Sequence, residues 1–128
     1  MPKIPNSLLY TEDHEWVSVE GKLILLGITD HAQDQLGDIV YLGEFPKIGE
    51  VVDQGDAIGV IESVKATSDI FSPVSGKVVE INVDLLDSPE QINGDPYGES
   101  WMLKIRMEEP EELEDLFSSE RYEQMIEE

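Results

Sequence analysis

The chain reads as a mainly β domain, a small sandwich or barrel with a short helix near its N-terminus and a helical C-terminal tail. Three observations predict it. Between Gly43 and Val83, short β-rich segments are separated by Gly, Pro and Asp at brief intervals, with no helical periodicity. Gly49-Glu50-Val51-Val52 is echoed by Gly76-Lys77-Val78-Val79, which suggests two similar strand units in a pseudo-symmetric sandwich. A length of 128 residues suits one domain with a modest core. The expected layout is a single domain over 1–128, with the sandwich at about 10–106 and an acidic helical tail at about 110–127.

The elements follow in order. Glu15 to Val19 alternates weakly and reads as a strand, Glu20-Gly21 is a turn signal, and Leu23 to Leu26 suits a buried strand. Thr29 or Asp30 caps a short helix in which Ala32 and Leu36 share a face and Gly37 is the stop. Asp38 to Leu42 returns to strand. Ser88 to Gly98 is dense in turn formers and reads as loop. Trp101 to Ile105 is the expected final strand. Beyond Pro110, Leu113, Leu116 and Phe117 make one apolar stripe and Tyr122, Met125 and Ile126 a second, the spacing of a helix packed on the core.

Charge narrows the partners. The formal net charge is −21, from 29 acidic residues against 8 Lys and Arg. Nucleic acid and anionic membranes are disfavoured, because both are held by clustered basic groups. Partners with basic faces would be steered inward, more weakly as salt rises; the acidity also serves solubility or suits a salty cell interior. Absence of cysteine excludes disulfides, thiolate metal sites and a cysteine nucleophile. The N-terminus lacks the apolar run of a signal peptide, and no stretch approaches the ~20 apolar residues of a membrane span. The expectation is a cytoplasmic protein.

Enzyme signatures are missing. The chain holds no G-x-S-x-G elbow, P-loop or G-x-G-x-x-G, and two histidines, His14 and His31, are too few for an ordinary zinc site. The unusual feature is Ile61 to Phe71. Its ends are strand-like, yet Ser63-Val64-Lys65-Ala66 lacks the Gly or Asn-Gly of a tight hairpin, so a type I turn is expected. Lys65 is the only basic residue between Lys47 and Lys77, bracketed by Glu62 and Asp69. A lysine there projects on a flexible stem. It is either a solvated surface residue or an attachment point for a prosthetic group.

Glu62-Ser63-Val64-Lys65-Ala66, continuing through Thr67-Ser68-Asp69-Ile70-Phe71-Ser72-Pro73, resembles the lipoyl-attachment signature of the glycine cleavage system H-protein family. His14-Glu15-Trp16, Gly27 to Gln33, Leu36 to Val40, Asn93 to Gly98 and the acidic tail match the same pattern in order. The resemblance implies a hybrid barrel-sandwich of the lipoyl-domain type, with lipoate in amide linkage to Lys65 on a hairpin. It implies a non-catalytic carrier that shuttles an aminomethyl group from a pyridoxal-phosphate glycine decarboxylase to a tetrahydrofolate-dependent aminomethyltransferase, and is then reoxidised by dihydrolipoamide dehydrogenase. A lipoyl ligase or transferase would attach the group. Positions matching Glu15, His31 and Asp69 are implied to line the cleft receiving the loaded arm, where Glu15 and Asp69 pair with its ammonium and His31 packs against it or hydrogen-bonds to it. Gly76 is implied to be structural, a φ > 0 or close-packed backbone position.

Two departures stand out. Tyr41 to Pro46 is one residue longer than the family pattern, which predicts a bulge at Gly43, and Ser100 stands where glycine is common. Rival carriers share the scaffold. An H-protein-like carrier for lipoate-dependent sulfur oxidation needs the same lysine. A biotinyl domain would show Met-Lys-Met, whereas Val64 and Ala66 flank Lys65, and lipoyl domains of 2-oxo acid dehydrogenases usually show an acidic residue where Val64 stands. A lipoate-storage protein without transfer activity is the third alternative.

Overall fold

The computed structural model describes residues 3–127. Nine strands in this range form two sheets: β1 (Leu9–Tyr10), β2 (Glu15–Glu20), β3 (Leu23–Ile28), β4 (Ile39–Gly43), β5 (Val51–Val52), β6 (Ala57–Ser63), β7 (Thr67–Phe71), β8 (Gly76–Ile81) and β9 (Leu103–Met107). A six-stranded sheet has the order β1-β2-β3-β9-β8-β5, and a three-stranded sheet the order β4-β6-β7. Every pairing is antiparallel. The core fills the space between the sheets: Val17, Ile24, Leu26, Val78 and Ile105 from the larger one meet Leu42, Ile58, Ile61 and Ile70 from the smaller. Burying each such side chain contributes roughly 1.5–3 kcal/mol.

The predicted sandwich is therefore present, and the echoed segments are neighbours in it. β5 pairs with β8 through Val51↔Lys77 and Val52↔Gly76. The β6–β7 hairpin is the excursion of chain between them. Gly76 is a close-packed position: a Cβ there would strike the Arg106 carbonyl oxygen of β9.

Helix α1 (Asp30–Leu36) has Thr29 as its cap, whose hydroxyl accepts a bond from the Ala32 N–H at 3.2 Å. Gln33 Nε2 donates to the Asp30 carboxylate at 2.8 Å, and Gly37 closes the helix at φ +80°, its N–H reaching Gln33 O at 2.9 Å. Serine-like capping and a left-handed glycine stop are what the sequence led us to expect.

Four expectations need correction. Ser88 to Gly98 is not all loop: α2 (Val83–Asp87) leads into it, α3 (Gln91–Gly94) lies within it, and a 3-10 turn follows at Gly98–Ser100. Each helix is too short to display a 3.6-residue period, and buried Leu85 and Ile92 anchor α2 and α3. The tail is not one helix. A 3-10 stretch at Pro110–Asp115 gives way to a bridge in which Tyr10 and Phe117 exchange backbone bonds of 2.9 and 2.7 Å, and α4 (Ser119–Glu127) begins after it. Pairing with β1 outcompetes helix continuation here. The last strand starts at Leu103 rather than Trp101, because Asn82 Nδ2 takes the Trp101 carbonyl instead. Finally, the bulge sits at Val40, not Gly43. Register shifts between Ile39 and Tyr41, while Gly43 stays paired with Val60 and lacks a Cβ where the Tyr41 hydroxyl packs.

The tail stripes do pack inward, as expected. Leu113 and Leu116 lean on the main core, whereas Phe117, Met125 and Ile126 join Tyr10, Trp16, Tyr97 and Tyr122 in a second cluster. Tyr10 and Tyr122 stack with ring centroids 4.7 Å apart. Among the described residues no helix is long and apolar enough to cross a membrane.

Candidate functional site

The β6–β7 hairpin pairs out to Glu62↔Thr67, leaving Ser63, Val64, Lys65 and Ala66 to reverse the chain. Ser63 explains how it does so without Gly or Asn. Its hydroxyl oxygen accepts bonds from the Ala66 N–H at 3.1 Å and the Lys65 N–H at 3.3 Å, while its own N–H donates to Ala66 O at 2.8 Å. Side-chain oxygen thus replaces the carbonyl that normally closes a turn. Neither Val64 nor Lys65 has positive φ, which excludes the primed turns and agrees with type I.

The tip is also held from outside. Val64 N–H donates to Asp38 O at 3.0 Å, tying it to the segment between α1 and β4. The Val64 side chain is 69% exposed, and Lys65 is exposed. The stem of Lys65 lies over Gly37: a Cβ on Gly37 would be 3.3 Å from Lys65 Cε. Among the described residues the one ion pair is Lys104–Glu80, so the Lys65 ammonium carries none. It is a presented amine with its backbone fixed and its head free.

Further along β7 lies a pocket of about 320 Å³ between Thr11, Asp13 and Glu15, Phe71 and Pro73, and Asp115 and Phe117. Glu15 is a buried carboxylate in its wall, at 2% exposure. One carboxylate oxygen accepts from the Thr11 hydroxyl at 2.8 Å and the other from the Phe71 N–H at 3.1 Å. Burial pushes this carboxyl up to about 7 from an ordinary 4.5, against the opposing pull of those two bonds. His14 next to it adopts φ +68°, which turns its ring to the Tyr122 hydroxyl at 2.8 Å. Its imidazole is held below the usual range by burial and by His31, whose ring is 4.9 Å away.

The three cleft residues read from the sequence are therefore placed differently. Glu15 forms part of the pocket wall. Asp69 is exposed on β7, opposite Val60 and between Lys65 and Phe71 in sequence. His31 stands half-buried on α1 beside His14 and, like Asp69, is not in the pocket wall. Glu62 and Ser63 are half-buried at the base of the hairpin tip, and Ala66 is exposed. Sequence reasoning missed Gly37, Asp38 and Thr11: Gly37 carried only a helix-stop signal, and nothing local links positions 37 and 38 to 64 and 65.

The glycine cleavage H-protein family model matches residues 8–128. The chain belongs to the glycine cleavage H-protein family. A glycine cleavage system H protein of Carboxydothermus hydrogenoformans is 48% identical over 128 residues, covering 100% of this chain and 98% of the relative. The corresponding protein of Rubrobacter xylanophilus is 52% identical over 129 residues, with the same coverage. The crystal structure of a glycine cleavage system H protein from Mycobacterium marinum superposes with a TM-score of 0.86 at 34% identity, covering 98% of this chain and all of that one. This H-protein kinship favours the glycine-cleavage carrier over a sulfur-oxidation carrier, and it agrees with the barrel-sandwich expected above.

Proposed function

We propose that Lys65 is the lipoate attachment site and that the chain is a non-catalytic carrier, passing the one-carbon amine of glycine between enzymes it does not contain. The observation that carries this reading is the Lys65 amine itself: exposed, free of ion pairing, and mounted on a turn whose backbone is closed by Ser63 and tied to Asp38. These residues fit the group. Nζ belongs to an exposed side chain at the tip, and amide formation would remove a charge that no carboxylate among the described residues pairs with. The bound group would supply a reducible disulfide at the end of a long tether.

The chain's own contribution is presentation and protection. Lys65 and Phe71 are six residues apart, roughly 20 Å along a strand, and Asp69 lies on the way. Asp69 on β7 and Glu15 in the pocket beside Phe71 are the carboxylates that would flank a loaded group held against this strand. Glu15, whose ionised form burial disfavours, would pair with a cationic amine held there, and that pairing would favour its ionised form. Asp69 supplies a second carboxylate, and His31 sits one ring away, across His14. We assign these three the task of holding the cargo amine protonated and out of bulk water.

Partners in this reading are glycine decarboxylase, aminomethyltransferase, dihydrolipoamide dehydrogenase and a lipoyl ligase or transferase, met in the cytoplasm and steered by the −21 net charge. The test is intact mass with peptide mapping after incubation with a lipoylating enzyme. One lipoyl group on Lys65, followed by glycine-dependent bicarbonate exchange with the decarboxylase, supports the proposal. A bare Lys65 under conditions that modify another H protein overturns it.

A further inference from the structure

Asn93 lies in α3, and the attachment-site reading leaves it without a role. Yet its amide makes three hydrogen bonds to one short piece of chain. Oδ1 accepts from the Ile39 N–H at 2.9 Å, and Nδ2 donates to Gly37 O at 2.9 Å and Gln33 Oε1 at 3.0 Å. The orientation is settled by chemistry, since a backbone N–H donates and a backbone carbonyl accepts. Asn93 thus brackets Asp38 from both sides. Asp38 O is the acceptor of the Val64 N–H, and Gly37 is the surface under the Lys65 stem.

We propose that Asn93 is a positioning residue for Lys65: it holds Gly37–Ile39 as a platform, and that platform sets the hairpin tip for the enzymes that must take hold of the lysine. The proposal rests on Lys65 being the modified residue. Three features make Asn93 suited to the task. Its helix is anchored by Ile92, fully buried in the core, so the clamp is attached to a rigid point. Gln33, the other acceptor, is itself bonded to Asp30, whose N–H donates to the Tyr97 hydroxyl at 3.1 Å. Tyr97 O–H in turn donates to Lys3 O at 2.6 Å. Both ends of the Asn93–Tyr97 turn therefore grip α1, one at Asp30 and one beyond its last residue.

The alternative platform would be weak. Gly37 sits at φ +80° just after the helix end, where a glycine lacks any side chain to fix its geometry, and Asp38 is exposed. Without the amide, the Gly37 carbonyl and the N–H of buried Ile39 lose their partners. The acceptor of the Val64 N–H, Asp38 O, then loses the side chain that braces it from both sides.

The experiment uses the full-length protein with Asn93→Asp and Asn93→Ala, and Ile105→Val as a control that loosens the core away from the tip. Amide hydrogen exchange is followed at Val64, and the initial rate of lipoylation by a lipoyl ligase is measured against carrier concentration. Asn93 variants are expected to exchange the Val64 amide about tenfold faster or more, and to show kcat/KM for lipoylation reduced about tenfold, with thermal unfolding still cooperative. Ile105→Val should change neither beyond twofold. If Val64 exchange and lipoylation in the Asn93 variants match those of Ile105→Val, the clamp is purely structural and the proposal is overturned. Failure of the parent itself to be lipoylated would instead defeat the attachment reading, while the Val64 exchange result would still judge the platform.

Discussion

Lys65 rests its stem on Gly37, so the residue proposed to carry the cofactor and the residue that ends α1 form one surface. A Cβ on Gly37 would lie 3.3 Å from Lys65 Cε, and the backbone there, φ +80° and ψ −153°, is one that side-chain-bearing residues rarely adopt. Gly37→Ala is therefore expected to lower stability by about 2 kcal/mol, mostly through backbone strain. Because the far end of a lysine moves aside easily, the steric share should be small. Urea denaturation of Gly37→Ala beside the double variant with Lys65→Ala measures both parts; a double variant that recovers most of the loss would show that strain is the minor part.

Replacing Lys65 by arginine keeps the charge and removes the acylatable amine. The residue is exposed and without an ion pair, so stability should stay within about 0.5 kcal/mol of the parent. Lipoylation should vanish, as read by intact mass. Any lipoyl group found on Lys65→Arg would place attachment elsewhere.

Glu15 makes stability fall as pH rises. Its folded-state value, about 7, is above its ordinary 4.5, so between these two the native chain holds the proton more often than the unfolded chain does. The slope is negative across that window and flat beyond it. Its full span is of the order of 3 kcal/mol from this group, at about 1.4 kcal/mol per pKa unit. Glu15→Gln removes the titration while keeping the shape. It should be the more stable form at pH 8, with the gap closing toward pH 5, in denaturant titrations at several pH values. A gap that is constant with pH would contradict this.

Ser63→Ala removes the oxygen that accepts the Ala66 and Lys65 N–H groups. A loss of about 1 kcal/mol is expected, with faster hydrogen exchange at Ala66. Ser63→Thr retains the hydroxyl and should restore protection at Ala66. Equal exchange in all three proteins would mean the hydroxyl does not close the turn.

Much of the fold was legible because its signals are local. Thr29, Gln33 and Gly37 mark both ends of α1 within a nine-residue window, and Gly21 marks the β2–β3 turn by the same logic. The family pattern around Lys65 pointed to the β6–β7 hairpin. What escaped was short or cooperative. α2 and α3 are set by single buried residues, Leu85 and Ile92, and the break in the tail by pairing of Phe117 with Tyr10, more than a hundred residues away. The bulge was expected at the glycine, yet Val40 takes it, with its side chain left exposed while Gly43 keeps its place opposite Val60.

Residue order alone was enough to specify a small β sandwich, a lysine at a bend and a strongly acidic chain, since turn chemistry, alternation and charge are properties of neighbours or of sums. Which groups surround that lysine was decided in three dimensions. Gly37 lies under its stem and Asp38 holds the neighbouring Val64 N–H, both braced by Asn93 from α3, and Glu15 acquires its raised proton affinity only when the fold buries it, against the pull of its bonds from Phe71 and Thr11. Desolvation and hydrogen-bond geometry depend on what the folded chain packs together, and no stretch of sequence carries that information on its own.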